Sequence, residues 1–262
     1  MNILITGASK GIGLATAKRL AAKGHCVGLF DIDTDELARA IKDKAFDKAN
    51  KKQRVITGDL DVTKTESWDT AIEHMVNNFG GIDVLINNAG VLVSGILPDT
   101  DLDKQLSLID INCKGVLIGC HKIVPYLTES TDAKIINLSS ASAIYGQSEV
   151  APYSASKFFV RGLTEALNVE YESLGIKVVD VMPLWVKSDM TKDIEVTSID
   201  RLGINLTVDD VAKKLCQLSS RPNRKISKTH YAIGFPARVL QNVSQVTPDS
   251  IIRFFNKKVG AK

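Results

Sequence analysis

The sequence predicts an α/β fold: one doubly wound parallel sheet of about seven strands, with helices on both faces. Two observations carry this. Short apolar runs alternate with amphipathic segments, in strand–helix order. The apolar runs are continuous and rich in Val, Ile and Leu, as in strands covered on both faces by helices. No linker, short-period repeat or low-complexity tract interrupts the pattern, so residues 1–262 read as a single domain.

The elements follow in order. Ile3 to Ile5 is the first strand, and a glycine-rich turn comes directly after it. Leu14, Ala17, Leu20 and Ala21 share one face of the first helix, which Gly24 ends. Cys26 to Phe30 is the second strand, 35–47 a helix, Arg54 to Thr57 the third strand and 65–78 a helix. Val84 to Ile86 is the fourth strand, 101–129 one long helical region, and Ile135 to Leu138 the fifth strand. A helix over 152–173 and a strand from Val178 to Met182 come next, and a short strand near 229–233 closes the series.

The segment from about 235 to 262 reads as two helices. Val239, Leu240, Val243 and Val246 form one apolar stripe. Thr247 and Pro248 are expected as N-cap and first helical residue of the second helix. Ile251, Ile252, Phe254 and Phe255 follow, with Arg253, Lys257 and Lys258 beside them. This reads as a cover for the core whose basic residues complement the helix dipole. A subunit contact, a lid over an apolar substrate and a peripheral membrane contact stay open as alternatives.

Composition excludes several classes. With 44% hydrophobic and 24% charged residues and a net charge of +3, the chain reads as an ordinary globular protein with no nucleic-acid partner. The basic run from Lys42 to Arg54 is interleaved with Asp43 and Asp47 and reads as a solvated helix end and loop. Cys26, Cys113, Cys120 and Cys216 show no CxxC spacing and no accompanying His cluster, so neither zinc nor a disulfide framework is expected. Reduced thiols fit a cytoplasmic protein. The first residues run straight into an apolar strand with no charged leader, and no apolar stretch is long enough to span a bilayer.

The turn TGASKGIG, Thr6 to Gly13, carries the first functional signal. Gly7, Gly11 and Gly13 permit a tight turn and close approach of a ligand to the backbone, with Ser9, Lys10 and Ile12 between them. Free N–H groups at the following helix N-terminus suit a pyrophosphate, so the turn reads as the dinucleotide site of a Rossmann-type sheet. Asp31 ends the second strand, 18 residues after Gly13. A carboxylate there accepts hydrogen bonds from a ribose and repels a 2′-phosphate, which favours NAD. Lys10 pulls towards NADP, because a cation in the turn pairs with that phosphate.

The motifs TGASKGIG at 6–13, DV at 61–62, NNAG at 87–90, Asn112 in INCKG, LSS at 138–140 and YSASK at 153–157 stand in an order and spacing that resemble the short-chain dehydrogenase/reductase family over roughly residues 1–215. The resemblance implies that Asp61 and Val62 flank an adenine and that Asn88, Ala89 and Gly90 lie beside the cofactor. It matches Asn112, Ser140, Tyr153 and Lys157 to a catalytic tetrad, with Tyr153 and Lys157 also touching the cofactor and Asn112 helping to hold a water that links Lys157 to solvent. Val186 and Ser188 match the segment that holds the nicotinamide carboxamide. It further implies a homodimer or homotetramer built on the helices that carry Asn112 and Tyr153.

Tyr153 and Lys157 are four residues apart and share a helix face. The ammonium and an oxidised nicotinamide are expected to lower the phenol from its free pKa near ~10, which suits a general acid or base. Ser140 would hydrogen-bond the substrate oxygen. The leading expectation is an NAD-dependent oxidoreductase for a secondary alcohol or ketone. Val91, Leu92, Ala143, Ile144, Leu184, Trp185 and Met190 are expected around the cleft and point to an apolar small-molecule substrate. The alternatives are an NADPH-dependent carbonyl reductase and a dinucleotide-sensing regulatory protein without turnover. The chain departs from the family where Leu184, in place of glycine, follows Pro183, and in its C-terminal helices.

Overall fold

The computed structural model describes residues 1–260 except 193, 195, 245 and 246, and gives the backbone alone at 202, 244, 249, 255, 259 and 260. Val246, expected in the apolar stripe, lies outside the described residues, as does the Phe255 side chain.

The strands are β1 (Asn2–Thr6), β2 (Cys26–Asp31), β3 (Val55–Asp59), β4 (Val84–Asn87), β5 (Lys134–Leu138), β6 (Lys177–Pro183) and, after a two-stranded excursion, β9 (His230–Ile233). They form one seven-stranded parallel sheet in the order β3-β2-β1-β4-β5-β6-β9. The order reverses between β1 and β4, and ligands of such sheets bind in the crevice beyond the strand ends at that reversal.

Successive side chains of each strand enter opposite layers. Ile3 and Ile5 pack with Ala17 and Leu20 of α1 (Gly11–Ala22) and with Val211 and Leu215 of α10 (Val208–Ser220). Leu4, between them, packs in the other layer with Trp68 and Ile72 of α4 (Thr65–Phe79) and with Val160 and Leu167 of α8 (Ala151–Glu170). A buried polar ladder ties the second layer to the sheet. Asn87 donates to Asn137 at 2.9 Å, and Asn137 donates to Thr164 of α8 at 2.9 Å.

Three helical expectations are corrected by local chemistry. The segment 35–47 breaks into α2 (Thr34–Ala40), a tight turn at Lys44–Phe46 and α3 (Asp47–Asn50). Asp43 causes the break by accepting the Ala45 N–H at 2.9 Å, a local bond that competes with helix. The segment 101–129 divides into α5 (Leu102–Ile109), a wide π-turn at Asp110–Lys114, α6 (Gly115–Lys122) and α7 (Val124–Leu127). Pro125, which has no N–H, sits in the first turn of α7, where it is tolerated. The last helix, α12, spans Asp249–Gly260, so Pro248 is its cap, and Thr247 turns its hydroxyl back to the Val243 carbonyl at 2.6 Å.

Between β6 and β9 lie elements the sequence pattern did not announce. β7 (Val186–Lys187) pairs with β8 (Leu206–Thr207), and α9 (Thr197–Leu202) lies between them. α10 opens on a capping box, with Thr207 N–H donating to Asp210 at 2.9 Å. α11 (Phe235–Ser244) returns over β9. Among the described residues no helix is long and apolar enough to cross a membrane.

Candidate active site

The C-terminal ends of β1 to β6 open on one cleft of about 470 Å³. Of the residues singled out in the sequence, Gly7, Lys10, Gly11, Ile12, Asp31, Asp61, Val62, Asn88, Ala89, Gly90, Ser140, Tyr153, Lys157, Val186 and Ser188 line it. Ser9, Gly13 and Asn112 lie behind that lining, each buried.

The glycine turn is built for close approach. A Cβ on Gly13 would stand 2.3 Å from the Gly7 carbonyl oxygen, and one on Gly7 would stand 2.7 Å from Ala89 Cα. Gly11 has a positive φ of 56° and open space where its Cβ would point. The Ser9 hydroxyl is buried and has no hydrogen-bond partner among the described residues. A concave backbone with a helix N-terminus behind it and an unspent buried hydroxyl fits a bound pyrophosphate. Asp31 accepts from Ser9 N–H at 2.9 Å and from Asp33 N–H at 3.1 Å, so its carboxylate is anchored at the rim. Lys10 is exposed at the same rim.

Asn88 works as a brace. Its amide donates to the Thr6 and Gly7 carbonyls at 2.9 and 2.8 Å, while the Thr6 hydroxyl accepts the Asn88 and Ala89 N–H groups, each at 3.0 Å. This locks the β1 turn to the β4 turn. Asn112 sits in the π-turn and braces Val91 from both sides. It donates to the Val91 carbonyl at 2.9 Å and accepts the Val91 N–H at 2.9 Å, and it also donates to Ser156 at 3.1 Å.

Tyr153 and Lys157 share the cleft-facing side of α8. Lys157 is buried, lies 5.5 Å from the Tyr153 ring centroid and donates to the Leu138 carbonyl at 3.0 Å. Burial pushes its ammonium down to about 8. Ser140 lies close enough to the Tyr153 hydroxyl to favour its phenolate. Burial nevertheless holds the phenol above its ordinary value, with the Ser140 bond opposing it. In the protein without cofactor, desolvation of the phenolate therefore outweighs the help it gets from Ser140.

The expected cleft neighbours divide. Val91, Leu92, Leu184, Trp185 and Met190 line the cleft, whereas Ala143 and Ile144 are buried in a cluster with Met182 and Ala237. The short helical turn at Ala141–Ala143, which Ser140 caps, directs Ser142, Tyr145 and Gln147 to the cleft instead. Ser142 and Gln147 carry no motif of their own. Only the folding of that turn could reveal them.

A dinucleotide cradle at the sheet's reversal point, beside a tyrosine and a buried lysine one helical turn apart, defines an NAD(P)-dependent oxidoreductase acting on CH–OH groups. A family pattern described as short chain dehydrogenase matches residues 1–198. The chain belongs to the short-chain dehydrogenase/reductase family. It is 34% identical over 212 residues to a 3-alpha-(or 20-beta)-hydroxysteroid dehydrogenase of Mycobacterium tuberculosis, covering 79% of each chain. It is 35% identical over 195 residues to a trans-4-hydroxycyclohexanecarboxylate dehydrogenase of Sinomonas cyclohexanicum, covering 73% of this chain and 74% of that one. The solved 3-ketoacyl-(acyl-carrier-protein) reductase of Brucella melitensis, complexed with NADH, superposes with a TM-score of 0.78 at 26% identity, over 88% of this chain and 95% of the other.

Proposed function

We propose that the protein oxidises a secondary alcohol on an apolar, ring-bearing frame, or reduces the matching ketone, with NAD rather than NADP. The observation that carries this reading is the pairing of Tyr153 with Ser140 at the apolar end of the cleft, above a buried Lys157. When bound, the nicotinamide supplies the hydride chemistry. Gly7, Gly11, Ile12, Asp61, Val62, Gly90, Val186 and Ser188 would line the seat of the whole dinucleotide, with Asp31 at the ribose. Tyr153 holds or takes the substrate-oxygen proton, and Ser140 fixes that oxygen beside it.

The walls support the substrate class. Leu92, Leu184 and Trp185 are apolar and pack with Tyr153, Met190 lines the same cleft, and two relatives are named for hydroxyl groups on rings. Asp31 supports NAD, being held by two backbone N–H groups where a 2′-phosphate would meet its charge. Exposed Leu102, Leu106 and Ile109 of α5, with Phe158 and Phe159 of α8, give the face for a homodimer or homotetramer. Four free cysteines fit the reducing cytoplasm.

Titration with NADH and with NADPH, followed by nicotinamide fluorescence, tests the cofactor. A panel of cyclic and linear secondary alcohols of graded size tests the substrate. Tighter NADPH binding overturns the cofactor assignment, and turnover confined to charged or linear alcohols overturns the substrate class.

A further inference from the structure

Charge is unevenly placed along the chain. From Arg221 to Lys262 there are nine Lys or Arg and one acid, Asp249, whereas residues 1–220 hold 24 basic and 29 acidic residues. A protein of small net charge thus carries one strongly basic segment, a pattern that suits an anionic partner. The fold gathers part of that charge beside β9. Burial lowers the Lys214 ammonium of α10, and the nearby charges of Arg221, Arg238 and Lys228 lower it further. Arg221, Lys228 and Arg238 are all exposed.

α11 and α12 add apolar surface to this charge. Their inward residues Ala237, Leu240 and Ile252 belong to one cluster with Ala141, Ala143 and Met182. Asn256 donates to the Gly146 carbonyl, and Arg201 of α9 donates to the Lys258 carbonyl. These contacts account for the two helices as a cover. Five apolar side chains are left over and point the other way. Phe235, Val239 and Val243 stand at i, i+4 and i+8 of α11, with Phe235 79% exposed. Ile251 and Phe254 stand at i and i+3 of α12, with Phe254 66% exposed. Both helices turn their inward faces to the same cluster, so these outward faces lie on one side of the molecule. Arg253, Lys257 and Lys258 are exposed around the α12 pair.

The apolar residues decide which anionic partner fits. Nucleic acid has no use for exposed Phe, Val and Ile, since its interfaces are polar and highly charged. A second copy of this chain would set basic residues against basic residues, at a cost. An anionic bilayer suits both sets: the apolar side chains enter the boundary between headgroups and acyl chains, and Lys and Arg meet the headgroups. At 10 and 12 residues, α11 and α12 are too short to cross a bilayer and lie along its surface instead.

We propose that the outward face of α11 and α12, with the basic cluster of Lys214, Arg221, Lys228 and Arg238, docks the protein on an anionic phospholipid surface. The inference stands apart from the alcohol-oxidation reading. The cluster beneath the two helices also contains Tyr145, which lines the cleft, so the docked face adjoins a cleft wall.

The test is sedimentation of the full-length protein with vesicles of phosphatidylcholine, alone or mixed with phosphatidylglycerol. Binding should be about tenfold or more tighter to the anionic vesicles, and should weaken as salt rises from about 0.1 M to about 0.5 M. Lys257→Gln with Lys258→Gln should weaken it by about fivefold per charge. Phe235→Ser with Phe254→Ser should weaken it by about tenfold or more. Lys51→Gln with Lys52→Gln, an equal loss of charge in the exposed loop before β3, should leave it within about twofold. Every substituted side chain is exposed, and denaturant midpoints that match wild type separate loss of the face from loss of the fold. Binding to neither vesicle, equal binding to both, or phenylalanine variants that bind as wild type overturn the inference. A control pair that weakens binding as much as the α12 pair also overturns it, because attraction would then follow net charge alone. Light scattering in solution covers the remaining occupant. If the phenylalanine variant splits an oligomer and wild type ignores both vesicles, the face is a subunit contact and the proposal falls.

Discussion

Lys157 Nζ stands 5.5 Å from the centroid of the Tyr153 ring, one turn along α8, and makes its hydrogen bond to the Leu138 carbonyl at 3.0 Å. The lysine thus faces the phenol without bonding to it. Two groups that both dislike burial as ions share one apolar-walled end of the cleft. Removing the phenol oxygen takes away the only proton-handling atom of this pair that also meets Ser140. Tyr153→Phe should lower kcat by about 10³-fold, the range of general acid–base catalysis. NADH affinity should remain close to wild type, because the ring and its backbone stay in place. Steady-state rates and nicotinamide fluorescence on one preparation check both halves, and a variant that keeps a tenth of the rate would rule Tyr153 out as the proton donor.

Lys157 makes an opposite demand on stability. Its folded pKa of about 8 lies below the ordinary lysine value, with burial as the leading cause. Between about pH 8 and about pH 10.5 the unfolded chain binds the proton that the folded chain has released, so stability rises with pH across that window. Below it, the full cost of burying the ammonium is present. Lys157→Met should therefore be more stable than wild type at pH 7, by about 1–3 kcal/mol, and inactive. Urea denaturation at pH 7 and at pH 10.5 checks it. The gap between the two proteins should close at the higher pH, and an equal gap at both would contradict the assignment.

Asp31 carries the cofactor preference through charge at an anchored position. Asp31→Asn keeps an acceptor for the Ser9 or Asp33 N–H while removing the charge. The ratio of NADPH to NADH dissociation constants should fall by about tenfold or more, since like charges set side by side cost several kcal/mol. Lys10→Ala should move the same ratio the other way by a smaller factor, because Lys10 is exposed and screened by solvent. Direct binding titrations with both nucleotides read the two shifts.

The parts of the fold that were legible in the sequence are those with short-range signals. Continuous apolar runs located β1 to β6 and β9, and the glycine turn, Asp31 and the Tyr153–Lys157 spacing located the cleft. What escaped depends on long-range partners. α9 and the β7–β8 pair are too short to show a period, and each exists because another segment holds it. The carboxylate of Glu149, a residue with a positive φ of 65°, accepts the Thr197 N–H at 2.6 Å and its hydroxyl at 3.0 Å. Ser142 and Gln147 escaped for the same reason, since only the turn after Ser140 brings them to the cleft. The rise of the Tyr153 phenol in the protein alone escaped as well, because spacing reveals a neighbouring charge but not the depth of burial beside it.

The last expectation concerns the far edge of the sheet. Asp180 and His230 are register partners on β6 and β9, with His230 Nδ1 2.9 Å from the Asp180 carboxylate and Nε2 3.6 Å from Glu165. Burial pushes His230 down, but its bond to Asp180, with the charges of Asp180 and Glu165, outweighs that and leaves its pKa raised. Burial raises Asp180 as well, against the pull of His230. A histidine whose folded pKa lies above its unfolded value of about 6.5 contributes stability that is fully present below that pH and is lost as pH rises through the folded value. His230→Leu strips the partner from a fully buried carboxylate whose Oδ1 already lacks one among the described residues. The variant should lose about 3 kcal/mol near pH 6. That loss should shrink at a higher pH, as pH rises through the folded value, the imidazole gives up its proton and the pair holds only its hydrogen bond. Denaturant midpoints at both values check the trend, and a loss that grows with pH would show that His230 is neutral in the fold throughout.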